Sequence, residues 1–277
     1  MTTTAIPPTP ARIRAVPPVL RRPGLPGTLR SELTKIVSVR STYWTLLAFV
    51  AASIAWAVLY CAGTVSHGIG PSFNATEASL TGQVALGELI IVVLGALVIT
   101  SEYSTGMIRT SLAVMPRRGV LYSAKAIVFA TVTLTISLVT SFVDFFVGQA
   151  ILSGKHYNTT LGAPGVLRSI FLSAAIVMVF GLLAYGAGAI IRHTAGAITA
   201  ILGVIFLIPL LAQALPNAWF ANLQRWLPGG GALEPITRSA PPIDAHLFTA
   251  WGEFAVFSGY AAVLLAIGAW LFIRRDA

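Results

Sequence analysis

The sequence predicts an all-α membrane protein in which six helices cross the lipid bilayer. Of its 277 residues, 56% are hydrophobic and only 10% are charged, whereas a soluble domain carries about 25% charged residues. The mean hydropathy is +0.82. The apolar residues are gathered in six stretches, each close to the roughly 20 residues that cross the hydrocarbon. These stretches lie near 43–63, 83–100, 124–152, 170–191, 195–215 and 254–273.

The N-terminal segment 1–27 has a different composition from the rest of the chain. It contains seven of the sixteen prolines and four arginines, but few large apolar residues. Because it has little apolar surface to bury, we predict a disordered tail on the cytoplasmic side. The first apolar run begins only at residue 43, which argues against a secretory signal peptide.

Segment 28–42 predicts an amphipathic helix that lies on the membrane surface. Thr28 can cap its N-terminus, and charged residues fall mostly on the face opposite to the apolar one. The apolar face is formed by Leu29, Leu33, Ile36 and Val37. Residues 43–277 then form the six-span transmembrane domain. Its long outer segment, 212–252, is compatible with either a re-entrant helix or a plain external loop.

The distribution of cations predicts how the chain is oriented. With both termini in the cytoplasm, fourteen of the eighteen Lys and Arg residues lie on the cytoplasmic side, in agreement with the positive-inside rule. We therefore expect a multi-pass protein of the cell (plasma) membrane. The net charge of +9 is explained by anionic lipid, so no nucleic-acid partner is expected.

The loop 101–125 between the second and third stretches predicts a further short helix. It starts with a capping hydroxyl and an acidic residue, continues with apolar residues at helical spacing, and ends at a proline. These positions are Ser101, Glu102, Ile108, Leu112, Met115 and Pro116. The alternative is a solvated loop whose cations only fix the orientation.

The same loop resembles the loop after the second span in permeases of ATP-binding-cassette transporters, most closely the six-span type-2 exporters with actinobacterial-like features. The residues that carry the resemblance are Glu102, Tyr103, Gly106, Arg109, Leu112, Pro116, Arg117, Ala124 and Lys125. Met107 departs from the Thr that many relatives carry there. The resemblance implies that 101–116 is a coupling helix that docks on a separate ATPase subunit. The residues implied to make this contact are Glu102, Tyr103, Gly106, Arg109, Leu112, Pro116 and Arg117.

Further partners follow from this resemblance. Helix 28–42 would be the elbow helix of the family, and a second permease subunit, as a homodimer, would complete the substrate path. ATP and Mg would bind to the partner ATPase, with no cofactor bound directly to this chain. The function implied is that of the permease subunit of an exporter.

Two carboxylates lie within the apolar stretches. Glu88 falls near the start of the second stretch and Asp144 inside the third, and such charges normally face protein or water. They are candidates for a substrate path, with Lys155 or Arg168 as possible partners. The alternative is that both make structural polar contacts.

The sequence contains no pattern of a catalytic or metal site. The four histidines are scattered over loops, and the only Gly-Lys pair, Gly154-Lys155, lacks the glycine spacing of a P-loop. We therefore expect no enzyme activity in this chain, no catalytic residue and no bound metal. A secondary transporter, a membrane-bound enzyme and a non-transporting assembly protein are the alternatives to the permease.

Overall fold

A computed structural model of the chain describes residues 24–114, 117–212, 214, 219, 226–227, 233–241 and 248–275. Over these residues the chain is helical and contains no strand, which confirms the predicted all-α fold class. Six helical segments in this part of the chain are long and apolar enough to cross a membrane. The fold is therefore that of a multi-pass membrane protein.

Two of the six spans are interrupted by π-helical turns, at Gln83–Gly87 and Gly203–Leu207. In chain order the helices are α1 (Leu25–Ser38), α2 (Arg40–His67), α3 (Ala75–Gly82), α4 (Glu88–Ser104), α5 (Met107–Val114), α6 (Arg118–Leu152), α7 (Val166–Ile191), α8 (Thr194–Leu202), α9 (Ile208–Ala212), α10 (Glu234–Thr237) and α11 (Ala250–Arg274). The spans are α2, α3 with α4, α6, α7, α8 with α9, and α11. Helices α1, α5 and α10 lie outside them.

Helix α1 lies closer to the N-terminus than the predicted segment 28–42. It begins at Leu25 and carries Pro26 in its first turn, where the missing amide hydrogen is not needed. Residues 25–27 are therefore helical and do not belong to a disordered tail. The helix ends at Ser38, and the chain bends at the extended Val39 before α2 begins. Residues 1–23, the rest of the predicted tail, lie outside the described residues.

The second span begins at Ala75, well before the predicted 83–100. Its N-terminus is capped by Asn74, whose Oδ1 accepts a hydrogen bond of 3.1 Å from the amide of Glu77. The hydroxyls of Ser79 and Thr81 donate to carbonyls one turn earlier, at 2.9 and 2.8 Å. These hydroxyls have hydrogen-bond partners within the helix. The span can therefore include residues 75–82, which are too polar to be recognised from hydropathy alone. Of the predicted fifth stretch, 195–215, the structure describes the helix only as far as residue 212.

The fourth span, α7, lies at the centre of the bundle. Two thirds of its most apolar part (67%) is buried, against 17% for the fifth span, and it packs on α4, α6 and α11. It approaches the second span very closely at two glycines. A Cβ atom at Gly95 would lie only 2.2 Å from the carbonyl oxygen of Gly181, so the two backbones are in direct contact.

The two ends of the bundle carry different polar contacts. One end, here named the α5 end, holds α1, α5, the turn between the fourth and fifth spans, and the end of α11. At the opposite end, Arg238 Nη1 lies 3.1 Å from Glu77 Oε2, and Asn74 Nδ2 donates to Ser239 Oγ at 3.0 Å. These contacts tie the segment before the sixth span to the start of the second span.

Candidate functional site

The loop between the second and third spans contains a separate short helix, but this helix begins later than predicted. Helix α4 continues through Ser101 to Ser104, so Ser101 is an interior residue of α4 and caps nothing. The chain then turns at Gly106, whose φ of +69° is a left-handed conformation that glycine adopts without steric cost. Helix α5 follows over Met107–Val114. The predicted single helix is therefore two helices joined at a glycine.

Helix α5 is attached to the bundle by one face only. Ile108 is 3% exposed, and Leu112 packs beside it, as the spacing of these residues predicts. Their neighbours in this apolar cluster include Ile99, Tyr122, Tyr185 and Phe272. Met107, Thr110 and Ala113 are exposed on the other side. Met115, Pro116 and the side chain of Arg109 lie outside the described residues.

An ionic cluster joins α1, the end of the second span and the start of the third. Lys125 Nζ lies 2.5 Å from Glu32 Oε2 and 2.8 Å from Glu102 Oε1. Lys35 Nζ lies 2.7 Å from Glu32 Oε1 and 3.4 Å from Glu102 Oε1. It also lies 3.4 Å from the hydroxyl of Ser111 on α5. We refer to Glu32, Lys35, Glu102 and Lys125 as the ionic cluster.

The ionic cluster is buried and electrically balanced. Glu32, Glu102 and Lys125 are 1%, 4% and 4% exposed, whereas the side chain of Lys35 is 35% exposed. Two carboxylates and two ammonium groups neutralise each other. Such a buried set is expensive to break, since removing one partner leaves an uncompensated charge in a medium of low polarity.

The two members on α1 remain charged. Burial raises the pKa of the Glu32 carboxyl, but Lys125 and Lys35 outweigh this effect and leave its pKa below the ordinary value. Burial lowers the pKa of Lys35, and its contacts with Glu32 and Glu102 more than reverse that effect, so its pKa lies above the ordinary value. Both shifts favour the ionised form. The contacts of α1 with the bundle therefore include ion pairs, beside the apolar packing of Leu29 and Ile36.

The position of Glu102 differs from the one predicted for it. As a member of a surface coupling helix, Glu102 was expected to present its charge to a partner subunit. It lies instead on the last turns of α4, inside the ionic cluster and 4% exposed. Its carboxylate contacts Lys125 and Lys35 of the same chain. These contacts connect the end of the second span to α1 and to the start of the third span.

Two further candidate residues of this loop, Tyr103 and Arg117, are not members of the ionic cluster. Arg192 stands over the ring of Tyr103, with its guanidinium carbon 4.9 Å from the ring centroid. Arg117 is exposed and precedes α6. Arg118 donates to the carbonyl oxygen of Arg275 at 2.6 Å. These contacts join the fourth–fifth turn to the end of the second span, and the end of α11 to the start of the third span.

The structure brings Asp144 and Glu88 into the protein interior without the predicted basic partners. Asp144 is 0% exposed and accepts a short hydrogen bond from the hydroxyl of Ser53. Lys155 is exposed in a turn beyond α6, and Arg168 donates to the carbonyl of Arg238 at 2.8 Å. The expected ion pairs are therefore wrong. The contact of Asp144 with Ser53 joins the third span to the first.

Glu88 lies at the start of α4 and is 3% exposed. One oxygen of each intramembrane carboxylate, Glu88 Oε2 and Asp144 Oδ1, has no hydrogen-bond partner among the described residues.

The second and third spans share a polar contact at Gln83 that the sequence did not predict. Gln83 Nε2 donates to the carbonyl of Ser137 at 2.8 Å, and Ser141 Oγ donates to Gln83 Oε1 at 2.5 Å. The π turn at Gln83–Gly87 is therefore in contact with the third span.

The sequence contained partial signals for the ionic cluster. Glu32 and Lys35 have the spacing of an ion pair on one helix face, and Lys125 is a single cation at the edge of a long apolar stretch. A buried lysine in such a place needs an acidic partner. Nothing in the order of residues indicates which carboxylates provide it. That pairing depends on how α1 packs against α6.

Within the described residues, no group of three or more His, Cys, Asp or Glu side chains is placed to hold a metal ion. Comparison with known families and with curated proteins finds no family model that matches the chain and no protein that matches it significantly.

Proposed function

We propose that this chain is the permease subunit of an ATP-binding-cassette exporter in the plasma membrane, with both termini in the cytoplasm. It would act as a homodimer with two separate ATPase subunits, which bind ATP and Mg. The observation that carries the proposal is the placement of α5. This short helix between the second and third spans is held by Ile108 on one side and exposes Thr110 and Ala113 on the other.

The ionic cluster would pass a displacement of α5 on to α1 and to the second and third spans. A partner that presses on the exposed face of α5 would displace Ser111, which contacts Lys35 of the cluster. The cluster is bonded to α1 through Glu32, to the second span through Glu102 and to the third span through Lys125. Because buried ions resist separation, these elements would move together. A partner that binds two states of this unit differently would shift their populations.

The proposal is tested by placing an accessible cysteine on the exposed face of α5. The natural Cys61 is buried, so Thr110→Cys provides the accessible thiol. In native membranes we expect Thr110→Cys to form a cross-link to an ATPase that co-purifies with the chain. Lys155→Cys, exposed at the opposite end of the bundle, is the control and should form none. A complex without an ATPase, or equal cross-linking from both positions, contradicts the proposal.

A secondary transporter is the second candidate function. It is favoured by the two buried carboxylates, Glu88 and Asp144, each with an oxygen that has no partner among the described residues. Ionisable groups inside the membrane mark ion or proton routes in such transporters. Transport that requires an ion gradient and continues without ATP hydrolysis would establish this candidate and exclude the first.

A further inference from the structure

A cleft lies beside the ionic cluster, between α1, the start of the first span and the end of the second. Its volume is about 310 Å³, which is at the lower end of the range for ligand pockets. It is therefore large enough for a lipid headgroup and the first part of a chain. Its walls are mainly apolar and its charged floor is part of the ionic cluster. Representative lining residues are Lys35, Ile36, Thr45, Leu97, Glu102 and Met107.

Glu102 lines the floor of the cleft, and one oxygen of its carboxylate is a buried acceptor that the described part of the chain does not satisfy. Glu102 is 4% exposed, and its Oε1 accepts from Lys125 and Lys35. Its other oxygen, Oε2, has no hydrogen-bond partner among the described residues. A buried carboxylate oxygen without a donor is unfavourable. A ligand that carries an ammonium group with N–H donors would satisfy it.

The position of the cleft indicates where its ligand comes from. Thr42 and Thr45 line the cleft, and between them Tyr43 and Trp44 are 62% and 64% exposed. Exposed Tyr and Trp at the end of a membrane helix lie at the level of the lipid headgroups. The cleft therefore opens at that depth, and membrane lipid is the molecule available to it at the highest local concentration.

The charges of the cleft select among lipid headgroups. The ionic cluster is neutral as a whole, so it does not favour a ligand with a net charge. We propose that the cleft binds the headgroup of a phospholipid that carries a primary ammonium, of which phosphatidylethanolamine is the simplest. The ammonium donates to Glu102, and the phosphate lies toward the partly exposed Lys35 and the hydroxyls of Ser41 and Thr42, which also line the cleft. A choline headgroup has no N–H to donate.

The proposal does not depend on the function proposed above, because lipid binding is measured without any ATPase. The full chain is purified in detergent, equilibrated with equal amounts of phosphatidylethanolamine, phosphatidylcholine and phosphatidylglycerol, and examined by native mass spectrometry. We expect one phosphatidylethanolamine to be retained per chain, about tenfold in preference to the other two lipids. A tenfold preference corresponds to about 1.4 kcal/mol.

Two variants locate the bound lipid. Leu97→Trp fills the cleft without removing an ion, and should abolish the preference. Val139→Trp adds the same bulk on the exposed face of the third span and should leave the preference unchanged. Thr45→Phe, a smaller obstruction from the first span, provides a second variant should Leu97→Trp fail to fold.

Several outcomes would overturn the proposal. Equal retention of phosphatidylcholine would mean that N–H donors are not recognised, and a preference for phosphatidylglycerol would mean that the site selects negative charge. An unchanged preference in folded Leu97→Trp or Thr45→Phe would place the lipid elsewhere on the protein. Retention of soluble phosphoethanolamine at the same level as the lipid would show that the membrane is not its source.

Discussion

The ammonium group of Lys125 lies 2.5 Å from the carboxylate of Glu32, although Glu32 is on a helix outside the six spans. Both side chains are buried, at 5% and 1% side-chain exposure. The contact joins α1 to the first turns of the third span, and Glu102 joins the second span to the same ammonium group. Removal of Lys125 therefore affects three parts of the fold at once.

Lys125→Met should destabilise the protein by about 3–5 kcal/mol, the cost of breaking a buried ion pair from one side. The variant leaves Glu32 and Glu102 close together with only Lys35 to balance them. The measurement is unfolding of the purified chain in detergent. Lys155→Met, at an exposed position, is the matched control and should stay within about 0.5 kcal/mol. A similar small change at both positions would show that the ionic cluster contributes little.

The contribution of Glu32 to stability should disappear in acid. Because its pKa is lowered in the folded chain, its contribution is complete above the ordinary value of 4.5 and is lost as the pH falls through the folded pKa. The groups that face it are Lys35 and Lys125, with Glu102 bound to the same ammonium groups. Unfolding of the natural chain and of Glu32→Gln should differ at pH 7 and converge once the pH has fallen below the folded pKa of Glu32, which itself lies below 4.5. A difference that persists at low pH would contradict this account.

Gly95→Ala should destabilise the bundle by about 1–3 kcal/mol, which is typical of overpacking. The new methyl group would lie 2.2 Å from the carbonyl oxygen of Gly181, so the second and fourth spans would have to separate. Gly63→Ala is the control, since nothing lies within 4 Å of the corresponding position on the first span. There the higher helix propensity of alanine should leave stability unchanged or slightly increased. Equal behaviour of the two variants would contradict the close contact.

Substitutions at Asp144 separate its structural contact from a role in transport. Asp144→Asn retains an acceptor for the Ser53 hydroxyl and should leave folding and assembly intact. Asp144→Leu removes the acceptor and should cost about 1–3 kcal/mol, because the buried hydroxyl loses its partner. Thermal unfolding of both variants provides the comparison. If Asp144→Asn assembles but transports less, Asp144 belongs to the substrate path. Unchanged transport would assign it to packing alone.

Local sequence patterns predicted the helices better than they predicted the contacts between them. Ile108 and Leu112 have helical spacing, and the structure places both on the attached face of α5. The start of the second span was missed because hydropathy counts Ser79 as a polar residue. In the structure its hydroxyl donates a hydrogen bond to a carbonyl of its own helix, so it needs no partner outside the helix. The break at Gly106 was missed because Tyr103 and Met107, four residues apart, continue the helical spacing across it, although glycine itself disfavours a helix.

The sequence did not predict the contacts between residues that lie far apart along the chain. The burial of Glu102 depends on Lys125 and on Glu32, which lies on a different helix. The basic partners expected for Asp144 were wrong because Arg168 is engaged by the carbonyl of Arg238. Charge alone identifies residues that need partners, but packing of the helices decides which partners they obtain.

The ionic cluster also has a consequence for the order of events during synthesis. Glu32 and Glu102 leave the ribosome before Lys125, so a nascent chain that ends before residue 125 has two carboxylates and only one of their two cations. Helix α1 should therefore dock only after the third span has entered the membrane. Chains arrested before residue 125 and chains arrested after the whole third span has left the ribosome should differ in this respect, with α1 open to protease in the shorter chain and protected in the longer one.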